Sequence, residues 1–247
     1  MSAATMTPYL RLELKRTLRN PRAILFTSAI PVMMYVLFST TDSTTDTPLE
    51  VHRAVLASMV AYGAIGGALL ASGPPRANER ATGWLRQLSA TPLPANAAVV
   101  AKLAVALTLA AAGALVVGTV GAVSGSHLSV VTLVELVVAM SLGALCFGLI
   151  GLTFGAAVKR PDTAQGATIL TYLTMSALGG LWVPTDQFPT WLADISKELP
   201  SHGILQIGRA IVNGTAFPVG SLGILLAWSA VFALLAAKAW QKGTRVR

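Results

Sequence analysis

Six long apolar runs constrain this chain more than any other feature of its sequence. They fall at about 23–39, 54–73, 97–123, 129–157, 164–183 and 218–238. Each is close to or above the roughly 17–25 residues that a helix needs to cross a bilayer. Only 11% of the residues are charged, against about 25% in an ordinary soluble domain. The sequence therefore predicts an all-α integral membrane protein, with six transmembrane helices in a single domain over residues 1–247.

The positions of the lysine and arginine residues predict how the chain is oriented in the membrane. With both termini in the cytoplasm, all but three of the 18 lysine and arginine residues fall in the N-terminal segment, the inner loops with their flanks, and the C-terminal tail. The exceptions are Arg53, Lys197 and Arg209. This is the positive-inside pattern. It predicts a multi-pass protein of the cytoplasmic membrane, with anionic lipid headgroups as a partner and no nucleic acid.

Residues 9–19 carry two parallel stripes at helical spacing. The apolar stripe contains Leu10, Leu14 and Leu18, and the basic stripe beside it contains Arg11, Lys15 and Arg19. This pattern predicts a short amphipathic helix lying in the plane of the inner headgroups. The alternative is a basic flank that only sets the orientation of the first span.

Small residues predict close helix packing in two of the apolar runs. Gly63 and Gly67 form a GxxxG pattern in the second run, and Gly151 and Gly155 form another in the fourth. Glycines at this spacing let two helices approach closely. The pattern indicates a packed bundle and does not by itself identify a dimer interface.

Motifs for chemistry within the chain are missing from the sequence. It contains no P-loop, HExxH or G-x-S-x-G motif, and such motifs accompany nucleotide, zinc and serine-nucleophile chemistry. The three histidines are expected in separate loops without metal-ligand spacing, and Cys146 is expected as a small buried residue. We therefore predict no catalytic, metal or cofactor site, and a protein that is not itself an enzyme.

One acidic residue, Glu135, lies inside a predicted span, about two turns from its outer end. Intramembrane carboxylates often mark a substrate or ion pathway, so Glu135 is a candidate for the substrate path. The alternative is that it lies shallow enough to be reached by outer water. An ATP-independent channel or secondary carrier is an alternative function, but a lone intramembrane carboxylate without an ion-coordinating cluster counts against it. A second alternative is a membrane scaffold that recruits partners through the polar segment described next.

The segment PPRANERATGWLRQLSATPLP, residues 74–94, is a polar island between the second and third apolar runs. Pro74 and Pro75 are expected to end the second span. Residues 77–90 are expected to form a separate surface helix that ends before Pro92 and Pro94. Its apolar face would contain Ala81, Trp84, Leu85 and Leu88. Such a helix is broad enough to be a docking surface.

These residues resemble the E-x-x-x-G-T-x-x-x-L-x-x-T-P signature of ABC-2 type transporter permeases. The resemblance rests on Glu79, Gly83, Leu88, Thr91 and Pro92. Trp84 stands where the family usually has threonine. In the family this segment is the coupling helix, which seats in a separate ATPase subunit. The resemblance implies a coupling site composed of Glu79, Arg80, Gly83, Trp84, Leu85, Leu88, Thr91 and Pro92.

Residues 185–214 resemble the family's outer helical hairpin, which dips back into the membrane before the last span. Apolar residues recur at helical spacing on both sides of Pro200, so two short interfacial helices are expected there. The residues that mark the hairpin are Pro184, Phe188, Pro189, Trp191, Pro200 and Arg209. The alternative is an ordinary outer loop with two amphipathic turns.

The resemblance covers the whole chain and implies the permease subunit of an ATP-driven exporter. It implies a dimer with a second copy or a homologous permease, and two copies of an ATPase subunit that hold ATP and Mg²⁺. The substrate would pass along spans two and five. The apolar spans favour an amphiphilic cargo, such as a drug, a peptide or a lipid-like molecule.

Overall fold

The computed structural model describes residues 3–19, 21–40, 48–84, 87, 97–158 and 160–245, and these residues contain helices and no strand. A π-helical turn, Ala122–Ser126, and a 3-10 turn, Thr185–Gln187, lie between helices. The α-helices are α1 (Ala3–Leu18), α2 (Pro21–Ser39), α3 (Pro48–Ala81), α4 (Ala97–Gly121), α5 (Val130–Gly143), α6 (Leu145–Ala157), α7 (Pro161–Leu178), α8 (Thr190–Lys197), α9 (Pro200–Asn213) and α10 (Val219–Arg245). The prediction of an all-α protein is confirmed for this part of the chain.

Within the described residues, four helical stretches are long and apolar enough to cross a bilayer, by length and composition. They are Leu49–Ala81, Ala97–Ser126, Val130–Ala157 and Val219–Ala239. They contain the second, third, fourth and sixth predicted spans. The third of these stretches consists of α5 and α6, which meet at Ala144.

The first and fifth predicted spans correspond to α2 and α7. These helices have 19 and 18 residues, so each is roughly 27–29 Å long, close to the roughly 30 Å of the hydrocarbon core. Among the residues with described side chains, α2 has a shorter apolar stretch, Thr27–Ser39. Helix α7 alternates apolar residues with threonine, serine and glutamine. The six-span topology therefore stays a prediction.

Helix α3 is the central element of the bundle. It packs against α2, α4, α6, α7 and α9. Within an apolar stretch of 18 residues in this helix, 83% of the residues are buried inside the protein. Large side chains on it, such as Leu56, Ile65 and Leu69, are fully buried. The position of each surrounding helix is therefore set by its contact with α3.

Glycines allow this central packing. A Cβ built on Gly67 of α3 would lie 2.7 Å from the Leu109 carbonyl oxygen of α4. A Cβ built on Gly113 of α4 would lie 2.9 Å from the Gly63 carbonyl oxygen of α3. On the other side, a Cβ on Gly151 of α6 would lie 2.9 Å from the Leu69 carbonyl oxygen. Backbone meets backbone at these points, as the two GxxxG patterns predict.

The prediction that Pro74 and Pro75 end the helix of the second span is wrong. Helix α3 continues through both prolines to Ala81. Proline removes a backbone donor and disfavours helix in the preceding residue. In this chain, burial of the following turn against neighbouring helices outweighs that local preference, since Arg76, Ala77 and Glu79 are all buried.

The helix ends instead at Ala81, two residues before Gly83, whose φ is +73°. A positive φ is a common way to end a helix, and glycine adopts it without steric cost. Residues 77–81 are thus the last turn of α3 and do not begin a separate helix. The Gln87 N–H donates to the Gly83 carbonyl oxygen at 3.3 Å, the four-residue hydrogen-bond spacing of an α-helix.

Two helices occupy the region of the predicted outer hairpin. Helix α8 is short, with Trp191 and Ile195 exposed, and α9 is amphipathic, with Ile204 and Leu205 fully buried. Pro200 is at the first position of α9, where its missing N–H has no intrahelical partner to lose. The pair of helices is observed as expected. Its placement at the outer side of a membrane stays a prediction.

We predict that Gly67→Ala destabilises the bundle, because the added methyl group has to push α4 away from α3. Overpacking of this kind costs about 1–3 kcal/mol. Thermal unfolding of the purified protein in detergent measures the effect.

The control is Gly166→Ala in α7, where a Cβ would meet nothing within 4 Å. This variant is expected to be unchanged or stabilised by about 0.5–1 kcal/mol, since alanine favours helix over glycine. Equal unfolding temperatures for the two variants would contradict the packing argument.

Candidate functional site

Three charged side chains from three helices meet inside the bundle. Lys102 of α4 lies with its Nζ 2.5 Å from Glu79 Oε1 of α3 and 3.4 Å from Glu13 Oε2 of α1. The exposed fractions of the three residues are 4–6%. We call this group, Glu13, Glu79 and Lys102, the buried ion triad.

Helix α1 supplies Glu13 because the helix is amphipathic. Glu13 is the one acid in α1, and it points inward, while Arg11, Lys15 and Arg16 are exposed. One turn earlier, the Tyr9 hydroxyl donates to Glu13 Oε1 at 3.2 Å. Burial, reinforced by the charges of Glu13 and Glu79, raises the pKa of Tyr9. A phenol is protonated at neutral pH even at its ordinary pKa of about 10, so Tyr9 remains a donor to Glu13.

Two arginines of α3 extend the charged region. Arg76 is buried, with 6% of its surface exposed, and interacts electrostatically with Glu79 and Tyr9. The Arg80 guanidinium donates to the Ala156 carbonyl oxygen at the end of α6. The last carbonyls of a helix lack intrahelical partners and favour a nearby cation. Arg80 thus attaches α6 to the same end of the bundle as the triad.

The triad has two anions and one cation, so it needs compensation from its surroundings. Removing charges from water carries a penalty of several kcal/mol for each ion. Tyr9 offsets part of it by its hydrogen bond to Glu13, and Arg76 adds a second cation near Glu79. The charges can be accommodated only while α1, α3 and α4 keep these positions.

The predicted coupling residues separate into two groups. Glu79 and Arg80 have their side chains engaged with the bundle, as just described. Gly83 ends the helix, and Trp84 has 37% of its surface exposed, next to exposed Ala81 and Thr82. Leu85, Leu88, Thr91 and Pro92 lie outside the described residues. A direct contact with an ATPase stays a prediction. Among the described coupling residues, Trp84 has the large exposed side chain that is positioned for such a contact.

Sequence reasoning missed the triad. It counted Lys102 with the inner-loop cations and assigned Glu79 to a partner surface. The one available signal was Lys102 itself, a charged residue inside the apolar run at 97–123. A cation at such a position needs an anionic partner nearby.

The predicted hairpin residues do not gather into one site. Pro184, Pro189 and Trp191 are exposed and Phe188 is half-buried. Pro200 is buried, and Arg209 is half-buried on α9. Glu135 is exposed on the second turn of α5, and its role in a substrate path stays a prediction.

The expectation that the histidines lie in loops is wrong for two of them. His52 is in α3, with its Nδ1 3.1 Å from the Tyr35 hydroxyl. His202 is in α9, and its Nε2 is 3.0 Å from Gln206 Nε2. Burial lowers the pKa of His202. Within the described ranges, no group of three or more His, Cys, Asp or Glu side chains is arranged to hold a metal ion.

Known proteins resemble the chain over most of its length. The family model described as "ABC-2 family transporter protein" matches residues 39–238. The Bacillus subtilis (strain 168) protein named "Putative transport permease YvfS" is 26% identical over 225 residues, which cover 90% of this chain and 91% of that protein. Both matches include the whole of α3 and α4, and therefore Glu79 and Lys102 of the triad.

We predict that Lys102→Met strongly destabilises the protein. The change keeps a long apolar stem but leaves two buried carboxylates without their cation. Breaking a buried ion pair by removing one partner costs about 3–5 kcal/mol. Chemical or thermal unfolding of the purified protein in detergent measures the loss.

Lys197→Met is the matched control. Lys197 also pairs with an acid, Asp194 at 2.9 Å, but the two side chains are 63% and 72% exposed. Exposed pairs contribute about 0–1 kcal/mol. If Lys102→Met unfolds at the same temperature as this control, the triad does not hold the helices together.

Proposed function

The chain belongs to the ABC-2 family of transporter proteins, and we propose that it is the membrane-spanning permease subunit of an ATP-driven exporter. The sequence has no P-loop, so ATP and Mg²⁺ would be bound by a separate ATPase subunit, present in two copies. The permease would pair with a second copy of itself or with a homologous permease. The transported substrate would be amphiphilic: a drug, a peptide or a lipid-like molecule.

The observation that carries this proposal is the connection between the exposed Trp84 and the buried ion triad. Trp84 follows the end of α3 by three residues. Within the last turn of α3, Glu79 is bound to Lys102, and Arg80 is bound to α6. A partner that displaces Trp84 therefore acts on a helix end that is already attached to α1, α4 and α6.

Helix α3 then carries the displacement through the bundle. It has 34 residues, which corresponds to roughly 50 Å, and its backbone touches α4 and α6 at the glycines described above. Close-packed helices of this kind move as rigid bodies, since their cores do not deform continuously. ATP binding and hydrolysis on the partner would in this way reorient the permease halves.

The exposed face of α7 is the better candidate for the substrate path than α3. The sequence suggested a path along spans two and five, but α3 is largely covered within the chain. Helix α7 instead exposes Gln165 and Thr174 together with Leu170 and Leu173. A mixed polar and apolar face suits an amphiphilic substrate moving between two permease copies.

The orientation that we propose places the triad end in the cytoplasm, with both termini on that side of the cytoplasmic membrane. Basic residues concentrate at this end, since α1 and the end of α3 both lie there with their arginines. This agrees with the positive-inside rule. The α8–α9 hairpin would then lie at the outer side.

We predict that Trp84→Ala weakens binding of the ATPase subunit. Buried aromatic anchors at interfaces contribute about 2 kcal/mol or more, so the dissociation constant should rise about 30-fold. A Trp84→Ala/Leu85→Ala variant should bind more weakly still. The measurement is co-purification of a P-loop ATPase encoded in the neighbouring reading frame, with ATPase stimulation as a second readout.

Trp191→Ala is the control for that experiment. Trp191 is 63% exposed on α8, so its removal also deletes an exposed indole, at the opposite end of the proposed orientation. It should leave ATPase binding unchanged. Loss of binding in both variants, or in neither, would contradict the assignment of Trp84 as the contact.

We further predict opposite labelling of two introduced cysteines. Asn78→Cys should react with a membrane-impermeant maleimide only from the cytoplasmic side, and Asp194→Cys only from the outer side. Both positions are exposed, whereas the native Cys146 is buried and gives little background. Labelling of both positions from one side would refute the proposed topology.

A further inference from the structure

We propose that the exposed face of α1 is a binding site for an acidic phospholipid of the leaflet in which this helix lies. A cavity of about 590 Å³ runs along this face. We call it the basic groove, and the described residues that line it are Thr7, Leu10, Arg11, Leu14, Lys15 and Arg19.

The groove has the chemistry of a phosphate site. Arg11, Lys15 and Arg19 follow one another at four-residue steps, so neighbouring cations are about 6 Å apart along the helix. No carboxylate is found among its described lining residues. Arginine binds phosphate oxygens through two parallel N–H groups, and lysine adds a point charge. A phosphodiester between two of these cations would be bound from both sides.

The buried ion triad determines which way this face points. Glu13 is bound to Lys102 on the opposite side of α1, and Tyr9 is buried beside it. Leu14 packs against the hydrophobic core. These contacts fix the rotation of α1 about its axis, so the three cations form a fixed array.

A lipid fits the groove better than a soluble anion or an acidic protein surface. Leu10 and Leu14 form an apolar wall directly beside the cations, suited to the first carbons of an acyl chain. Leu12 does not line the groove, but it is a further exposed apolar side chain of α1, at 61%. Helix α2, a predicted span, begins at Pro21, two residues after Arg19. The groove therefore lies where phosphate headgroups meet the hydrocarbon of a bilayer.

The test is native mass spectrometry of the purified full-length chain, without any ATPase, titrated with phosphatidylglycerol, cardiolipin or phosphatidylcholine. We expect saturable binding of the two acidic lipids and at least tenfold weaker binding of phosphatidylcholine. Arg11→Gln and Lys15→Gln should each weaken acidic-lipid binding about fivefold, because one basic residue near an anionic surface contributes about 1 kcal/mol and 1.4 kcal/mol corresponds to tenfold.

Arg16→Gln is the matched control, since Arg16 lies on the same helix and is exposed but does not line the groove. It should change binding less than twofold, and all three variants should unfold at the wild-type temperature. If all three variants lose the same affinity for acidic lipid, the lipid is attracted only by the total charge of the helix. That result would overturn the site. If inorganic phosphate displaces the bound lipid completely, the groove binds phosphate in general, and the proposal of a lipid as its occupant is wrong. Unchanged lipid binding in the Arg11→Gln and Lys15→Gln variants would likewise overturn the site.

Discussion

The Lys102 ammonium group, shared by Glu79 and Glu13, is the interaction on which the arrangement of this end of the bundle depends. It lies in a chain with only 11% charged residues, and all three groups are almost fully withdrawn from solvent. A buried ion pair gains little stability over an apolar contact, because desolvation offsets the attraction. Its stronger consequence is that no member can move alone without leaving a charge unpaired. Helices α1, α3 and α4 are therefore held in one mutual position, and Arg80 adds α6 to them.

The glycines and the charges constrain α3 in complementary ways. Contacts at Gly67 and Gly113 bring the backbones of α3 and α4 together. These contacts are apolar, and they fit over a short range of positions of one helix along the other. The pairing of Glu79 with Lys102 fixes how far one helix is displaced along the other. Together they make α3 a stiff central element, and they leave its last turn attached to the helices around it.

The sequence predicted the helices well because their signals are local. Apolar runs and the proline at the start of α9 each specify nearby backbone. It failed at Pro74 and Pro75, where burial of Arg76, Ala77 and Glu79 in the tertiary structure outweighs a local preference for ending the helix. It also missed the triad, since Glu13 and Lys102 are 89 residues apart and their contact depends on how three helices pack. The sequence pattern predicted a coupling role for residues 77–90, but which of the described side chains there face inward was decided by that packing.

That division of side chains separates two tasks in the coupling segment. Glu79 and Arg80 face the bundle and hold the end of α3 to its neighbours, while Trp84, beyond the turn at Gly83, is exposed. Under the proposed function, tryptophan in place of the usual threonine would change the surface offered to a partner and leave the internal attachment intact. Changes at Trp84 should act on the affinity for an ATPase, whereas changes at Glu79 or Lys102 should act on how its movement reaches the spans. A substitution that weakens transport at unchanged ATPase affinity belongs to the second group, because the contact is then made but no longer transmitted.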